Sequence, residues 1–169
     1  MELIIDGYNL LHAGRLPMAL SAEDLQRERE RLVEELSSYR QARSCGITVV
    51  FDGWKTGWAV EKKERRKGID LIFSQLGEKA DDVIKRLVKD KGPGKVVITS
   101  DRDVARYAEK MGAAVIPSEQ FRERMDRPFV SGGKDTDEEE DEQPGFKRKG
   151  PSRRLSKKEK RAKAALRKL

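Results

Sequence analysis

Short apolar runs alternate along the chain with longer segments in which apolar residues recur every three or four positions. The short runs are rich in strand-forming residues and too brief for helices, so we predict buried strands there. These strands are residues 3–5, 47–51, 69–73, 96–99 and 113–116. The longer segments predict helices at about residues 21–43, 79–91 and 102–111, and a last short helix from Ser118. This alternation is typical of an α/β domain with a mostly parallel sheet.

The composition changes abruptly after residue 130. Residues 1–130 are close to neutral, residues 131–142 carry one Lys and seven acids, and residues 143–169 carry twelve basic residues and one acid. The acidic stretch has no core-forming residues, so we predict one domain at 1–130 and a disordered acidic-to-basic linker at 131–152. We expect 153–169 to be a mobile basic arm that becomes helical only on a partner.

Cysteine and apolar content narrow the class of protein. The single cysteine, Cys45, excludes an intramolecular disulfide and cannot alone form a thiolate metal site, so we expect it to fill space beside a strand. No stretch approaches the roughly 20 apolar residues needed to cross a bilayer. We therefore expect a soluble protein in a reducing compartment, with the cytoplasm as the default.

Acidic residues stand where the predicted strands end or where the next helix begins. They are Asp6, Asp52, Asp81 with Asp82, and Asp101 with Asp103. Because the carboxyl ends of parallel strands share one edge of a sheet, these side chains are predicted to converge there. Unpaired acids repel each other, and a divalent cation relieves that repulsion. Mg²⁺ fits, because it takes oxygen ligands and needs only a few carboxylates beside water and substrate phosphate.

A magnesium site of this kind suits phosphodiester chemistry. It binds the phosphate, activates a water and stabilises charge on the leaving oxygen. The sequence contains no Walker loop, no GxGxxG after the first strand, no GxSxG and no HExxH. The lone histidine, His12, has no evident catalytic partner.

Each acid also has a structural interpretation. Asp6 and Asp52 are common turn formers. Asp81 and Asp82 lie in the first turn of a helix, where the macrodipole favours acids, and Asp101 could be an N-cap. Taken singly these signals are weak. Acids at four strand ends are a stronger signal, because the predicted α/β fold places those ends at one edge of the sheet.

Basic and aromatic residues near this edge are candidates for RNA contact. Trp54 and Trp58 could be core residues or platforms that stack on unpaired bases. The run EKKERRK at 61–67 is either a solvated surface or an attractor for a phosphate backbone. The RNA-binding candidates are Lys62, Lys63, Arg65, Arg66, Trp54 and Arg102.

Several motifs, in order, resemble the YacP-like branch of the NYN domain family, whose relatives include the PIN and flap-nuclease domains. They are IIDGYNLLHA, VVFDG, IFSQLGEKADDVIKRLV, VVITSDRDVARYAEKMGA and IPSEQF, and they span residues 1 to about 125. The resemblance implies a PIN-like three-layer α/β/α sandwich with a five-stranded sheet in the order 3-2-1-4-5. It also implies a ribonuclease that depends on Mg²⁺ or Mn²⁺.

The resemblance also assigns roles to individual residues. The family's first acid corresponds to Asp6, its polar partner to Asn9, and its later acids to Asp81 and Asp101. Three further acids correspond to positions that are acidic in the family or its wider relatives but less clearly ligands: Asp52, Asp82 and Asp103. Members of this branch include endonucleases that cut messenger RNA on the ribosome, which implies RNA, and the ribosome, as partners.

Together these signals predict a metal-dependent endoribonuclease in which Asp6, Asp81 and Asp101 bind one or two Mg²⁺ ions. Asp52 and Asp103 complete the cluster through water. Activated water attacks phosphorus and leaves a 5′-phosphate and a 3′-hydroxyl. Asn9 orients Asp6 or a water, or contacts the phosphate.

Two other functions fit parts of the pattern. One is a catalytically weak RNA- or ribosome-binding module that uses the basic arm. The other is a phosphatase with Asp6 as nucleophile, but such enzymes usually carry a second acid two residues on, where this chain has Tyr8.

Overall fold

The computed structural model describes residues 1–14, 21–53, 59–91, 94–126 and 156–169. The strands are β1 (Glu2–Asp6), β2 (Gly46–Phe51), β3 (Lys62–Arg66), β4 (Ile69–Phe73), β5 (Lys95–Ile98) and β6 (Ala114–Ile116). The helices are α1 (Gly7–Ala13), α2 (Ala22–Arg43), α3 (Ala80–Lys91), α4 (Arg102–Lys110), α5 (Ser118–Asp126) and α6 (Lys157–Lys168). In the described part of the chain, no helix combines the length and the apolar character needed to cross a membrane.

The strands form one mixed sheet in the order β3-β4-β2-β1-β5-β6. All neighbouring pairs are parallel except β3 and β4, which are antiparallel. The α/β class is confirmed, and the five strands predicted from apolar runs lie side by side in the order 3-2-1-4-5.

The predicted strand count of five was wrong, because β3 adds a sixth strand at the edge of the sheet. Its sequence, KKERR, has no apolar alternation, so the pattern of apolar residues gives no signal for a strand there. Backbone pairing with β4 holds it, with Lys62 opposite Phe73 and Arg66 opposite Ile69. An edge strand tolerates such charge, since long polar side chains there also discourage pairing with other chains.

Helix α1 was not predicted, because Asp6 was considered, in its structural interpretation, only as a residue that caps or stabilises a tight turn. Asp6 has an extended backbone conformation and caps α1, with its side chain accepting a hydrogen bond from the Asn9 amide. The turn-forming role that we considered for Asp6 is therefore a helix-capping role.

Two apolar cores, one on each face of the sheet, give the three-layer arrangement. Ile5, Val49 and Ile98 pack with α1, α2, α5 and α6. The alternate residues Ile4 and Val97 pack with α3 and α4 on the other face. Successive strand residues point to opposite faces, so strands buried on both faces read as continuous apolar runs.

The C-terminal basic segment belongs to the body of the domain, which corrects our expectation of a mobile arm. Helix α6 packs beside β6, and Ala165 and Leu169 are buried in the same core as α2 and α5. The Tyr39 hydroxyl donates to the carbonyl of Leu169 at 2.9 Å, and Lys158 pairs with Glu109 at 3.0 Å. The predicted linker at 131–152 lies outside the described residues.

Candidate active site

Asp6 and Asp101 stand at the ends of the neighbouring strands β1 and β5, and each caps the helix that follows. Asp6 is the last residue of β1, is only 6% exposed, and accepts from the Asn9 amide at 3.1 Å. Asp101 Oδ1 accepts from the amides of Asp103 and Val104 at 2.8 and 2.9 Å. The N-cap interpretation of Asp101 is thus correct, and the cap uses only Oδ1 of its two oxygens.

Asp52, directly after β2, also binds the first turn of a helix. Its Oδ1 accepts from the amide of Ala80, the first residue of α3, at 2.7 Å. The ends of three parallel strands and the starts of α1, α3 and α4 therefore meet at one edge. Each helix start carries a partial positive charge, which favours the carboxylates gathered there.

The acids at this edge are close enough to influence one another. The pKa of Asp6 is raised to about 6, mainly by burial and then by the charges of Asp81 and Asp52, against the lowering effect of the Asn9 amide. The pKa of Asp81 is also raised, first by burial and then by the charge of Asp101. Four of the predicted acids, Asp6, Asp52, Asp81 and Asp101, are therefore brought together as a like-charged cluster, which we call the acid edge.

Asp82 and Asp103 lie at the margin of the acid edge. Both side chains are exposed. The charge of Asp82 contributes to the raised pKa of Asp81, whereas Asp103 contacts Asp101 through its backbone amide. The geometry thus favours Asp81 over Asp82 as the inward member of the pair.

Thr99 was not predicted and joins the two central strand ends. Its hydroxyl lies 3.4 Å from Oδ2 of Asp6 and accepts from the amide of Asp101 at 3.1 Å. The signal in the sequence is the run Thr-Ser-Asp directly after a buried strand, of which only the acid was predicted to belong to the site.

The side chain of Asn9 turns toward the loop after β5 instead of toward Asp6. Its Oδ1 accepts from the Ser100 amide at 3.1 Å and from the Ser118 hydroxyl at 3.5 Å. Ser100 in turn bonds to Glu119 and accepts from the Ser118 amide at 3.0 Å. Asn9 therefore positions the segment that carries Asp101, and only its backbone positions Asp6.

Ser74 and Gly53, also unpredicted, fix the loop that carries Asp52. The Ser74 hydroxyl accepts from the Gly53 amide at 3.0 Å and donates to the Glu78 carbonyl at 2.8 Å. A Cβ at position 53 would lie 1.7 Å from the Ser74 carbonyl oxygen, so the close approach requires glycine.

The predicted RNA-binding cations are mostly paired with acids on or beside β3. Lys62 and Arg66 both pair with Glu64, Lys63 pairs with Glu61, and Arg65 pairs with Asp70. Within this group, Lys62 lies at the end of the sheet that carries the acid edge, because it is opposite the last residue of β4, and Arg66 lies at the other end.

The remaining RNA-binding candidates are Arg102 and the tryptophans. Arg102 is exposed and begins α4, directly after Asp101. Trp54, like Trp58, lies outside the described residues.

The donor chemistry of the acid edge fits a hydrated divalent cation. Across the described residues, no group of three or more His, Cys, Asp or Glu side chains is arranged to hold a metal by itself. Mg²⁺ is usually held by one or two carboxylates and several waters, so it does not require such a cage. The burial of Asp6 among like charges supplies the electrostatic drive for a cation.

Solved structures of similar proteins support the fold. The chain superposes on a crystal structure of a point mutant of Rae1 (YacP) from Bacillus subtilis with a TM-score of 0.60 and 22% identity, covering 73% of this chain and 74% of that one. A second Rae1 (YacP) structure gives a TM-score of 0.57 and 22% identity, covering 74% and 73%.

Sequence comparisons give the family. The protein YacP of Bacillus subtilis (strain 168) is 29% identical over 87 residues, which cover 52% of this chain and about half, 51%, of that protein. A family model described as the YacP-like NYN domain matches residues 3–168. That match continues through α6, beyond the point near residue 125 where the recognisable motifs end. The chain therefore belongs to the YacP-like NYN domain family.

Proposed function

We propose that this protein is a metal-dependent endoribonuclease and that the acid edge is its active site. One observation carries the proposal: Asp6, Asp52, Asp81 and Asp101 come from distant parts of the chain and crowd together although their charges repel. Three of them also cap helices, but that role explains their position at helix starts and not their mutual proximity. A bound cation that neutralises the four carboxylates, together with a phosphodiester substrate, would account for their proximity.

The fixed geometry of the acid edge suits a phosphate group. The Asn9 and Thr99 hydrogen bonds hold the ends of β1 and β5 in register, so Asp6 and Asp101 keep a constant separation. Lys85, one turn after Asp81, places a positive charge beside the cluster.

The acid edge would hold one or two Mg²⁺ or Mn²⁺ ions, each through one or two of the carboxylates of Asp6, Asp81 and Asp101 and through water, with Asp52 and Asp103 acting through water alone. When bound, such an ion stabilises negative charge on the phosphate and lowers the pKa of water. In-line attack of water on phosphorus breaks the bond to the 3′ oxygen and leaves a 5′-phosphate and a 3′-hydroxyl. The chain's part is to orient the phosphodiester and to position Asp6, which a pKa of about 6 leaves mainly ionised at neutral pH.

The cellular setting is a proposal that rests on the family resemblance. Because this branch includes endonucleases that cut messenger RNA on the ribosome, we propose RNA as the substrate, the ribosome as a partner and the cytoplasm as the location. The exposed basic face of α6 would suit ribosomal RNA.

The test is RNA cleavage by the full chain with Mg²⁺, with EDTA, and after Mg²⁺ is restored. Asp81→Asn is expected to reduce the rate at least a hundredfold. Asp90→Asn, an exposed change on the same helix, should have no effect. Products should carry 5′-phosphates. Equal cleavage by wild type and Asp81→Asn would place the activity elsewhere.

A binding module is the second candidate, because the described residues contain no ready three-ligand metal group and α6 is strongly basic. Deleting α6 would not be a clean test, since it removes buried Ala165 and Leu169. Neutralising the exposed Lys157, Lys160 and Lys163 to Gln leaves the core intact. A pure binder loses its RNA or ribosome association in this variant and never cuts, whereas a nuclease still cuts short RNA.

A further inference from the structure

A cavity of about 380 Å³ lies between α2 and the β3 and β4 strands. Val33, Leu71 and Phe73 give it an apolar wall. The lining also includes four basic and three acidic side chains: Arg29, Lys62, Arg66, Lys67, Glu30, Glu34 and Glu64. Its volume lies within the range of pockets that hold small ligands, and its mixed lining suits a ligand with both an apolar and an anionic part.

Arg29 is a buried charge in this cavity with no acid to balance it. It is 9% exposed, and its Nη2 donates to the neutral Gln26 at 2.7 Å. Its other polar neighbour is the Tyr8 hydroxyl, and its Nε is buried with no hydrogen-bond partner in the described part of the chain. A guanidinium removed from water without a carboxylate is unfavourable, so an anionic ligand would relieve it.

The other cations of the cavity, unlike Arg29, are each paired with a glutamate. Lys62 and Arg66 share Glu64, and Lys67 pairs with Glu34 at 2.6 Å. Among the described residues no carboxylate lies within ion-pair distance of Arg29. The site for an anion is therefore at Arg29, on the inner side of the cavity, and not at its rim.

An aromatic layer connects this cavity to the acid edge. Phe51 and Phe73 stack with ring centres 5.6 Å apart, and Tyr8 packs against Phe51 at 5.3 Å. The Arg29 guanidinium lies 5.9 Å from the centre of the Phe73 ring. Phe51 directly precedes Asp52, so one layer of rings separates the cavity from the candidate active site.

We propose that this cavity binds one nucleotide of an RNA strand, with its phosphate at Arg29 and its base against the apolar wall formed by Val33, Leu71 and Phe73. Arginine is suited to this, because its planar guanidinium binds phosphate oxygens in pairs and its face stacks on bases. The inference rests on the proposed nuclease function. It adds that the enzyme binds one nucleotide of its substrate across the aromatic layer from the acid edge, which makes Arg29 a substrate-binding residue.

The experiment measures binding of AMP, GMP, CMP and UMP to the full chain by calorimetry, beside inorganic phosphate and uncharged adenosine. Wild type should bind at least one nucleotide, and should bind phosphate and adenosine at least tenfold more weakly. Arg29→Met should weaken the nucleotide at least tenfold. Arg27→Met, an equal change at an exposed position on the same helix, should not alter binding.

Three results would overturn the inference: no nucleotide binding by wild type, equal binding by Arg29→Met, or phosphate binding as tight as that of the nucleotides. If Arg29→Met does not fold, Arg29→Lys replaces it, because lysine keeps the charge but lacks the planar guanidinium that binds phosphate oxygens in pairs. It should weaken nucleotide binding at least threefold, and unchanged binding would contradict the proposal.

Cleavage separates this inference from the nuclease proposal. On RNA, Arg29→Met should raise KM and leave kcat within a few-fold of wild type. Nucleotide binding without RNA cleavage would refute the proposed function and leave the cavity assignment intact. RNA cleavage without nucleotide binding would refute the cavity assignment alone.

Discussion

The hydroxyl of Thr99 lies 3.4 Å from Oδ2 of Asp6 and ties the end of β5 to the end of β1. This hydrogen bond lowers the pKa of Asp6 against the stronger effect of burial. We predict that Thr99→Val raises that pKa, because the same shape is kept while the donor is lost. A cation competes with the proton on Asp6. As the pH is lowered, the cleavage rate of Thr99→Val should therefore begin to fall at a higher pH than the rate of wild type.

The measurement is the pH dependence of RNA cleavage at fixed Mg²⁺. Thr48→Val makes the same change on β2, where Thr48 lies opposite Ile4. This control should not shift the low-pH part of the pH–rate profile. A Thr99→Val profile that coincides with wild type would show that the hydroxyl has no influence on Asp6.

Asp6 should destabilise the metal-free protein at neutral pH. Its folded pKa of about 6 exceeds the usual 3.8, so the folded state binds the proton more tightly than the unfolded chain does. The resulting stabilisation is complete below about pH 4 and is lost as the pH rises through 6. From the size of the shift, the loss is about 3 kcal/mol.

Asp6→Asn should therefore raise the free energy of unfolding at pH 8 in EDTA by up to about 3 kcal/mol, since asparagine still caps α1. Near pH 4 the difference should almost vanish. Urea unfolding at both pH values checks this. A variant less stable than wild type at pH 8 would mean that Asp6 is held mainly for structure.

Asn9 should act by holding the loop after β5. Asn9→Ala leaves the Ser100 amide without its acceptor, which should cost about 1–2 kcal/mol and speed hydrogen exchange at Ser100. Asn9→Asp keeps an acceptor oxygen and should keep the slow exchange. Equal exchange in wild type and Asn9→Ala would refute this role.

The strand ends and their acids could be predicted because both follow from local patterns. Buried parallel strands read as apolar runs, and the residue after such a run lies at the sheet edge whatever the packing of the helices. The contacts of Thr99, Ser74 and the Asn9 side chain could not be predicted. They join residues that are distant in the sequence, and each depends on how two loops meet in space.

Strand β3 and helix α6 were misjudged for a shared reason. Both are highly charged, and charge usually signals a solvated segment. Backbone pairing with β4 holds β3 in the sheet, and such pairing leaves no trace in the apolar pattern of the sequence. In α6 the signal was present: Ala162, Ala165, Leu166 and Leu169 recur at helical spacing and form an apolar stripe among the lysines.

The docking of α6 should contribute to stability. Leu169 is fully buried and its carbonyl accepts from Tyr39, so Leu169→Ala should lower the free energy of unfolding by about 2–3 kcal/mol. Leu76→Ala, at a position that is 63% exposed, is the control and should change it little. If the two variants had equal effects in urea unfolding, α6 would be a mobile arm and not a docked part of the domain.

The central claim is that the four carboxylates of the acid edge act as one cation site that carries RNA cleavage. Its most direct test is the rate of RNA cleavage as a function of Mg²⁺ concentration for wild type, Asp101→Asn and Asp90→Asn. Asparagine preserves the cap of α4, so the fold is retained and only the charge is lost. We predict that Asp101→Asn needs at least tenfold more Mg²⁺ for half-maximal rate, while Asp90→Asn matches wild type. A single Mg²⁺ curve shared by all three proteins would contradict the account.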